Sequence, residues 1–307
     1  MDSLGARGAF ATMPRMDSEH ITLKLESSAQ NSSPEGGGGR GPSPDADSLA
    51  GGIVAAFALA VIAILLISFA CSSSSAQDDA DTAERDWSNL QAEGDRLYYY
   101  EDGRLLSQLG VDVSDHQGDI DWEAVAADGI DFAMVRLGNR GYSEGTVYVD
   151  DCAAENLDGA AAAGLEVGAY FFSQATTEEE AIEEAQLALE VLDGRGLDLP
   201  VVFDHEPMSD EGGRAAEVEG EQLAACAVAF CEVLEEAGYE TMIYGNAEDI
   251  ERFGDADLGG RPIWLAEYDV DAPSADFDFA MWQYTASGGV EGIEGEVDLN
   301  LLFTDSL

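Results

Sequence analysis

Short apolar runs alternate with amphipathic helical stretches through the C-terminal two thirds of the chain, and this alternation limits its fold most strongly. Each run has the length of a strand. Strands that alternate with helices wind into a parallel sheet, and eight such strands can close into a barrel. The predicted strands are residues 110–114, 132–137, 166–172, 200–204, 241–244, 263–268, 279–284 and 297–301.

Helical patterns fill the first four gaps between these strands, and beyond the fifth strand only one short helix fits. The sequence therefore predicts an α/β fold, a TIM-like barrel of five β/α units plus three further strands, over residues 108–307. The predicted helices are residues 122–128, 151–163, 177–192, 215–237 and, more briefly, 247–253.

Three segments precede the predicted barrel. Residues 1–50 are rich in Ser, Gly and Pro and are expected to be a disordered tail. Residues 51–71 are almost uninterruptedly apolar and long enough for one transmembrane helix. Residues 72–107 form an acidic stalk or linker, expected to be partly helical around 86–97. The rival to an uncleaved helix is lipoprotein anchoring at Cys71, which directly follows the apolar run.

The charge balance excludes some functions. The chain carries 63 Asp and Glu against 13 Lys and Arg, a formal net charge of -50. Nucleic-acid binding requires cationic side chains that face phosphates, so we expect no nucleic-acid partner. No Cys/His cluster has the spacing of a zinc site, and we expect no metal and no cofactor. The pairing of Cys152, Cys226 and Cys231 stays open.

Four carboxylates interrupt or end predicted strands. Asp204 and Glu206 close the apolar run 199–203, and residues two apart in a strand face the same side, about 6.6 Å apart. Such a pair can divide the roles of general acid and charge stabiliser. Asp112 and Asp298 lie inside the first and last strands, which are neighbours in a closed barrel. The alternatives are loop capping for the Asp204–Glu206 pair and an ion pair with Arg136 for Asp112.

Aromatic side chains near the strand ends are candidates for stacking on sugar rings. His205 points away from its two acidic neighbours and is expected to be structural. The predicted substrate contacts are Tyr170, Tyr244, Tyr268, Trp282, Tyr284 and Arg136.

Motifs spread over residues 108–307 resemble glycoside hydrolase family 25, the Chalaropsis-type lysozymes. They include GVDVSDHQG at 110–118, VRLG at 135–138, GAYFF at 168–172, PVVFDHE at 200–206 and VDLN at 297–300. Further matching motifs, in family order, are IYGN at 243–246, IWLA at 263–266 and WQY at 282–284.

The resemblance implies a β/α barrel and an N-acetylmuramidase that cuts the β-1,4 bond between N-acetylmuramic acid and N-acetylglucosamine in peptidoglycan. It implies that Glu206 is the general acid and Asp204 its partner at the substrate's acetamido group. It also implies that Asp112 and Asp298 correspond to the supporting acids of the family. The expected partner is therefore the peptidoglycan glycan strand, and a monomer is expected.

Together these features predict a single-pass protein of the cell membrane, tethered through residues 51–71, with its catalytic domain outside the cell. One alternative is a non-catalytic wall-binding module on the same barrel. The other is a chitinase-like glycosidase, against which stands the absence of spaced aspartates before Asp204: Val201, Val202 and Phe203 occupy those positions.

Overall fold

The computed structural model describes residues 85–207, 212–304 and 306. The predicted tail, the predicted transmembrane helix (51–71) and the first part of the predicted stalk lie outside these residues. Within the described ranges, no helix combines the length and the apolar character needed to cross a membrane.

A small antiparallel sheet precedes the barrel, within the segment predicted as a stalk. The chain reverses at Gly94 and Gly103, whose φ angles of 72° and 78° are left-handed and suit tight hairpin turns. The helix expected around residues 86–97 is therefore wrong, because the turn at Gly94 lies inside it. The elements are a short 3-10 turn (Trp87–Asn89), β1 (Leu90–Glu93), β2 (Arg96–Glu101) and β3 (Arg104–Leu105).

Five side chains, which we call the N-terminal staple, fasten this sheet to the barrel. The Trp87 ring stacks on Phe279, with centroids 6.0 Å apart and planes inclined by 4°. Trp87 also meets Tyr99 and Phe303 edge to face. The Arg85 guanidinium lies 4.1 Å from the centre of the Phe303 ring, a cation–π contact. The staple thus joins residues at the start of the described chain to residues near its end.

The barrel elements follow in the order of strands and helices. They are β4 (Ser107–Val113), α1 (Trp122–Ala127), β5 (Phe132–Arg140), β6 (Val147–Val149), α2 (Ala153–Ala163), β7 (Glu166–Phe172), α3 (Glu178–Leu192), β8 (Val201–Asp204), α4 (Gly220–Glu236), β9 (Thr241–Gly245), α5 (Ala247–Glu251), β10 (Ile263–Ala266), β11 (Met281–Gly288) and β12 (Val297–Phe303).

Eight strands close into a ring. The order is β4-β12-β11-β10-β9-β8-β7-β5, and the pairing of β4 with β5 completes the circle. The short strand β6 extends the sheet at β5. All ring pairings are parallel except those of β12, which runs antiparallel to both β11 and β4.

The prediction of a TIM-like barrel of five β/α units plus three further strands is therefore wrong. The barrel is a closed, mixed β-barrel with few helices. Helices α1 and α5 have only six and five residues, and no helix joins β10, β11 and β12. The physical reason is the last connection: a short glycine-rich loop returns the chain directly to a neighbouring position, which forces β12 to run antiparallel.

The ring buries apolar side chains on both of its faces, as expected for strands covered on two sides. One set fills the barrel interior, and the other packs against the helices and the N-terminal sheet. The interior set includes Phe132, Met134, Val202, Met242, Trp264 and Met281. Charged residues replace these apolar ones near one end of the barrel, at the C-terminal ends of the parallel strands.

Candidate active site

A cleft opens at that end of the barrel and contains all four of the predicted acids. Its volume is about 230 Å³. This is below the roughly 300–1,000 Å³ of pockets that enclose drug-sized ligands. The lining residues are Asp112, Arg136, Tyr170, Phe172, Asp204, Glu206, Tyr244, Trp264, Tyr268, Gln283, Ala286 and Asp298.

Asp204 and Glu206 reach the cleft from the end of β8, and their side chains hydrogen-bond to each other. Burial raises the pKa of Glu206 to about 7, and the charges of Asp249 and Asp112 act in the same direction. Burial and the charge of Glu206 raise the pKa of Asp204 well above its usual range. The pair therefore retains a proton close to neutral pH, as a general acid requires.

His205, between them, points to the opposite side, as predicted. Its Nε2 lies 3.1 Å from the backbone oxygen of Ala175, and Arg252 contacts its Nδ1 at 3.3 Å. Burial, followed by the charge of Arg252, lowers the pKa of His205 to about 4. The imidazole is thus neutral and structural at physiological pH.

Asp112 and Asp298 face each other across the antiparallel pairing of β4 and β12, and their side chains share a hydrogen bond. Burial, then the negative charge of Asp112, raises the pKa of Asp298 to about 8. Two amides donate to the Asp112 Oδ2 atom: Gln283 Nε2 at 2.7 Å and Asn300 Nδ2 at 2.8 Å. Asp298 is therefore the partner that donates. Burial raises the pKa of Asp112 as well, and the three hydrogen bonds that Asp112 accepts oppose this rise.

Arg136 does not pair with Asp112, so that alternative for Asp112 is wrong. The Arg136 Nε atom donates to Asp150 Oδ2 at 2.7 Å, and its Nη2 atom pairs with Asp115. Arg136 nevertheless lines the cleft, where it is the one cation among the described lining residues. It therefore offsets part of the negative charge around Asp112 and Asp204.

The predicted aromatic contacts divide into two groups. Tyr170, Tyr244 and Tyr268 line the cleft as predicted. Trp282 and Tyr284 are buried on the outer face of β11, where Trp282 packs against Trp87. They do not reach the cleft and cannot contact a ligand there. The alternation of β11 points Gln283, between them, into the cleft instead.

Three side chains that support the site were not singled out from the sequence. Gln283 and Asn300 hold Asp112 in place, although both stand inside motifs of the resemblance. A polar amide within an otherwise buried strand was the signal that could have identified them. A third, Gln174, is fully buried and donates to the backbone oxygen of Glu206 at 2.7 Å, which supports the chain at that residue.

The chemistry of the cleft is that of acids and hydroxyls. Across the described part of the chain, no cluster of His, Cys, Asp or Glu is arranged to hold a metal ion. Cys152, Cys226 and Cys231 are free thiols. The cleft contains the Asp204–Glu206 pair, the hydrogen-bonded Asp112 and three tyrosines. Such a set can protonate a leaving group and stabilise positive charge.

The sequence profile of the glycosyl hydrolases family 25 matches residues 111–293. The autolytic lysozyme of Clostridium acetobutylicum is 27% identical over 191 residues, 62% of this chain and 54% of the relative. Lysozyme M1 of Streptomyces globisporus is 28% identical over 202 residues, 62% of this chain and 66% of the relative. The chain thus spans about half to two thirds of the length of these relatives.

Among solved structures, the bacterial lysozyme from Streptomyces coelicolor superimposes with a TM-score of 0.53 at 27% identity. The aligned part covers 64% of this chain and 91% of that one. The resemblance inferred from the motifs is thereby confirmed. Because the family profile matches more than half of its length, the chain belongs to the glycosyl hydrolases family 25.

Proposed function

We propose that this protein is a muramidase that hydrolyses the β-1,4 bond between N-acetylmuramic acid and N-acetylglucosamine in peptidoglycan. The observation that carries the proposal is the hydrogen-bonded pair of Asp204 and Glu206 at the cleft, whose burial keeps a proton available near neutral pH. Glu206 donates that proton to the leaving glycosidic oxygen. The lysozymes among its relatives support this substrate class.

Asp204 is suited to hold the substrate's acetamido group. Its Oδ1 atom is buried and has no hydrogen-bond partner among the described residues. A buried acceptor without a partner costs free energy, which a bound amide N–H would recover. In this proposal the acetamido N–H fills that position, while the negative charge of Asp112 stabilises the positive charge that develops on the sugar ring.

The test is digestion of purified peptidoglycan by the full chain, with Glu206→Gln beside it. General acid catalysis contributes about 10²–10⁴ in rate, and we expect Glu206→Gln to lose activity in that range. Glu221→Gln, the same change on an exposed residue of α4, serves as the matched control. The new reducing end is identified by mass spectrometry after borohydride reduction, and the parent should give N-acetylmuramic acid.

Two outcomes contradict the proposal. Reducing N-acetylglucosamine would indicate the chitinase-like alternative. Binding without cleavage, equal in the parent and in Glu206→Gln, would indicate the wall-binding module. Either result would leave the family assignment intact and change only the activity.

We further propose that the enzyme is tethered to the cell membrane through residues 51–71, with the barrel outside, where peptidoglycan lies. The apolar length of that segment supports the proposal. The test is membrane fractionation of the full chain, of a variant lacking residues 51–71, and of Cys71→Ala. Retention of Cys71→Ala in membranes supports the helix, its release indicates a lipid anchor, and an equally soluble parent contradicts both.

A further inference from the structure

A directed chain of hydrogen bonds crosses the barrel interior beneath the cleft, and its direction can be determined from one end. The Trp264 Nε1 atom lies 2.9 Å from Asn300 Oδ1. An indole N–H can only donate, so the Asn300 oxygen must face Trp264. Its amide nitrogen then faces Asp112 Oδ2, at 2.8 Å, and can only donate to it. Asp112 Oδ2 is therefore an acceptor.

The direction continues through Gln283. Its polar end lies between Asp112 and two tyrosines, and either end of the amide could face either side. Asp112 also accepts from Asp298 and is the member of that pair without the shared proton, so the group that meets its Oδ2 atom at 2.7 Å is the Gln283 amide nitrogen. The Gln283 Oε1 atom is thereby turned toward the tyrosines, which fixes an orientation that geometry alone leaves open.

Both tyrosine hydroxyls then donate to the same oxygen. Tyr244 Oη lies 2.8 Å and Tyr268 Oη 2.5 Å from Gln283 Oε1. A phenol has one proton, so each hydroxyl has only lone pairs left for other partners. The two hydroxyl oxygens are 3.5 Å apart, and both side chains line the cleft. Toward a ligand, this wall presents acceptors and no donor.

We propose that Gln283 is a positioning residue that makes the hydroxyls of Tyr244 and Tyr268 acceptors, so that this wall of the cleft selects an N–H or O–H donor on the bound sugar. The identity of the ligand as a sugar rests on the proposed function. A sugar hydroxyl or an acetamido N–H fits this requirement. A group with only acceptors, such as an ether oxygen, would leave polar atoms unpaired and is discriminated against.

The variant Gln283→Glu tests the direction of these hydrogen bonds in the absence of a ligand. The introduced carboxyl can replace the amide only while it is protonated, because it must donate to Asp112 and still accept from both tyrosines. Its pKa in the folded state is therefore raised above the unfolded value of about 4.3. Stability contributed by such a group is present at low pH and is lost as the pH rises through the raised pKa.

We therefore expect the difference in Tm between the parent and Gln283→Glu to widen as the pH rises from about 5 to about 8. If Gln283 had the opposite orientation, the new carboxylate could accept from a protonated Asp112, and the difference would stay constant. A constant difference overturns the proposal. The ionisable groups around position 283 are present in both proteins: Asp112, Asp298, Tyr244, Tyr268, Asp204, Glu206, Tyr170 and Arg136.

Gln283→Met tests recognition of the ligand. Without the amide oxygen, the phenol protons can turn into the cleft, where donors would meet donors. We expect the KM for soluble peptidoglycan fragments to rise roughly tenfold or more, and kcat to change less. A KM within about twofold of the parent overturns the recognition step. Gln222→Met, on the exposed surface of α4, controls for loss of an amide.

The two measurements separate this inference from the proposed function. If the parent does not cleave peptidoglycan, the proposed function fails, while the pH dependence of Tm still decides the direction of the hydrogen bonds. If Gln283→Met does not fold, the comparison of Gln283→Glu with the parent remains. A purely structural role for Gln283 would lower Tm equally at every pH and leave KM unchanged, and this result would overturn the proposal.

Discussion

The cleft holds two pairs of carboxyl groups with opposite hydrogen-bonding environments. In the pair formed by Asp112 and Asp298, the Asp112 carboxylate accepts from two amides as well as from its partner. In the pair formed by Asp204 and Glu206, one buried oxygen of Asp204 has no partner among the described residues. The first pair is a fixed charge, and the second can exchange a proton with a ligand. Burial raises pKa values in both, so the donors around each pair decide its role.

The largest expected effect concerns stability. Asp112→Leu should lower the free energy of unfolding by about 3 kcal/mol, because the amides of Gln283 and Asn300 lose their buried acceptor. Asp204→Leu, the matched change, should cost little or even stabilise, since it removes a buried carboxyl that accepts few hydrogen bonds. Urea unfolding of both variants provides the measurement. Equal losses would show that the two pairs do not differ in the way described.

The next effect is the alkaline limit of activity. In the proposed mechanism Glu206 must be protonated, and burial raises its pKa to about 7. We expect kcat/KM to fall about tenfold per pH unit above that value. Initial rates between about pH 5 and about pH 9 provide the profile. Activity that stays level to the alkaline end would mean that the pair holds no catalytic proton.

A smaller effect should appear in Tm. Glu206 has a folded pKa above its unfolded value, so its contribution to stability is present below about pH 4 and is lost as the pH rises through about 7. Glu206→Gln removes this loss. Its Tm should rise relative to the parent between these limits, and the two curves should run parallel above them. A gap between the curves that is independent of pH would contradict the raised pKa.

The smallest expected effect is that of salt. The formal net charge of -50 would repel the proposed substrate, the anionic cell wall, at long range. Screening should therefore raise kcat/KM a few-fold as salt increases to about 0.3 M, where the Debye length is below about 8 Å. The rate at fixed pH is the measurement. A steady fall over this range would indicate that attraction through Arg136, rather than overall repulsion, controls association.

The strands and the acids of the site could be predicted from the sequence, because both depend on local pattern. Each of the eight predicted strands has a counterpart in the barrel, and alternation placed Asp204 and Glu206 on one side. Which side chains of β11 point into the barrel could not be predicted in this way. That strand is buried on both sides, so nothing in its own sequence tells whether Trp282 or Gln283 points inward.

Features that depend on contacts between distant residues could not be predicted from the sequence either. The orientation of Gln283 depends on Trp264 and Asn300, which belong to two other strands. The N-terminal sheet depends on packing of Trp87 against Phe279 and Phe303, about two hundred residues later. Helix propensity around residues 86–97 was overridden by that packing, as tertiary contacts often override local preference.

The N-terminal staple has a mechanical consequence. Phe303 ends β12 opposite Ser107, the first residue of β4, whereas Asp298 and Asp112 pair at the other end of the same two strands. The staple therefore lies about 20 Å, one strand length, from the cleft. Residue 85, the first described residue, therefore joins the barrel at the end opposite the cleft. Tension applied to the chain at residue 85 would be borne first by the contacts of Trp87 and Arg85 with the barrel, before it disturbed the acids of the cleft.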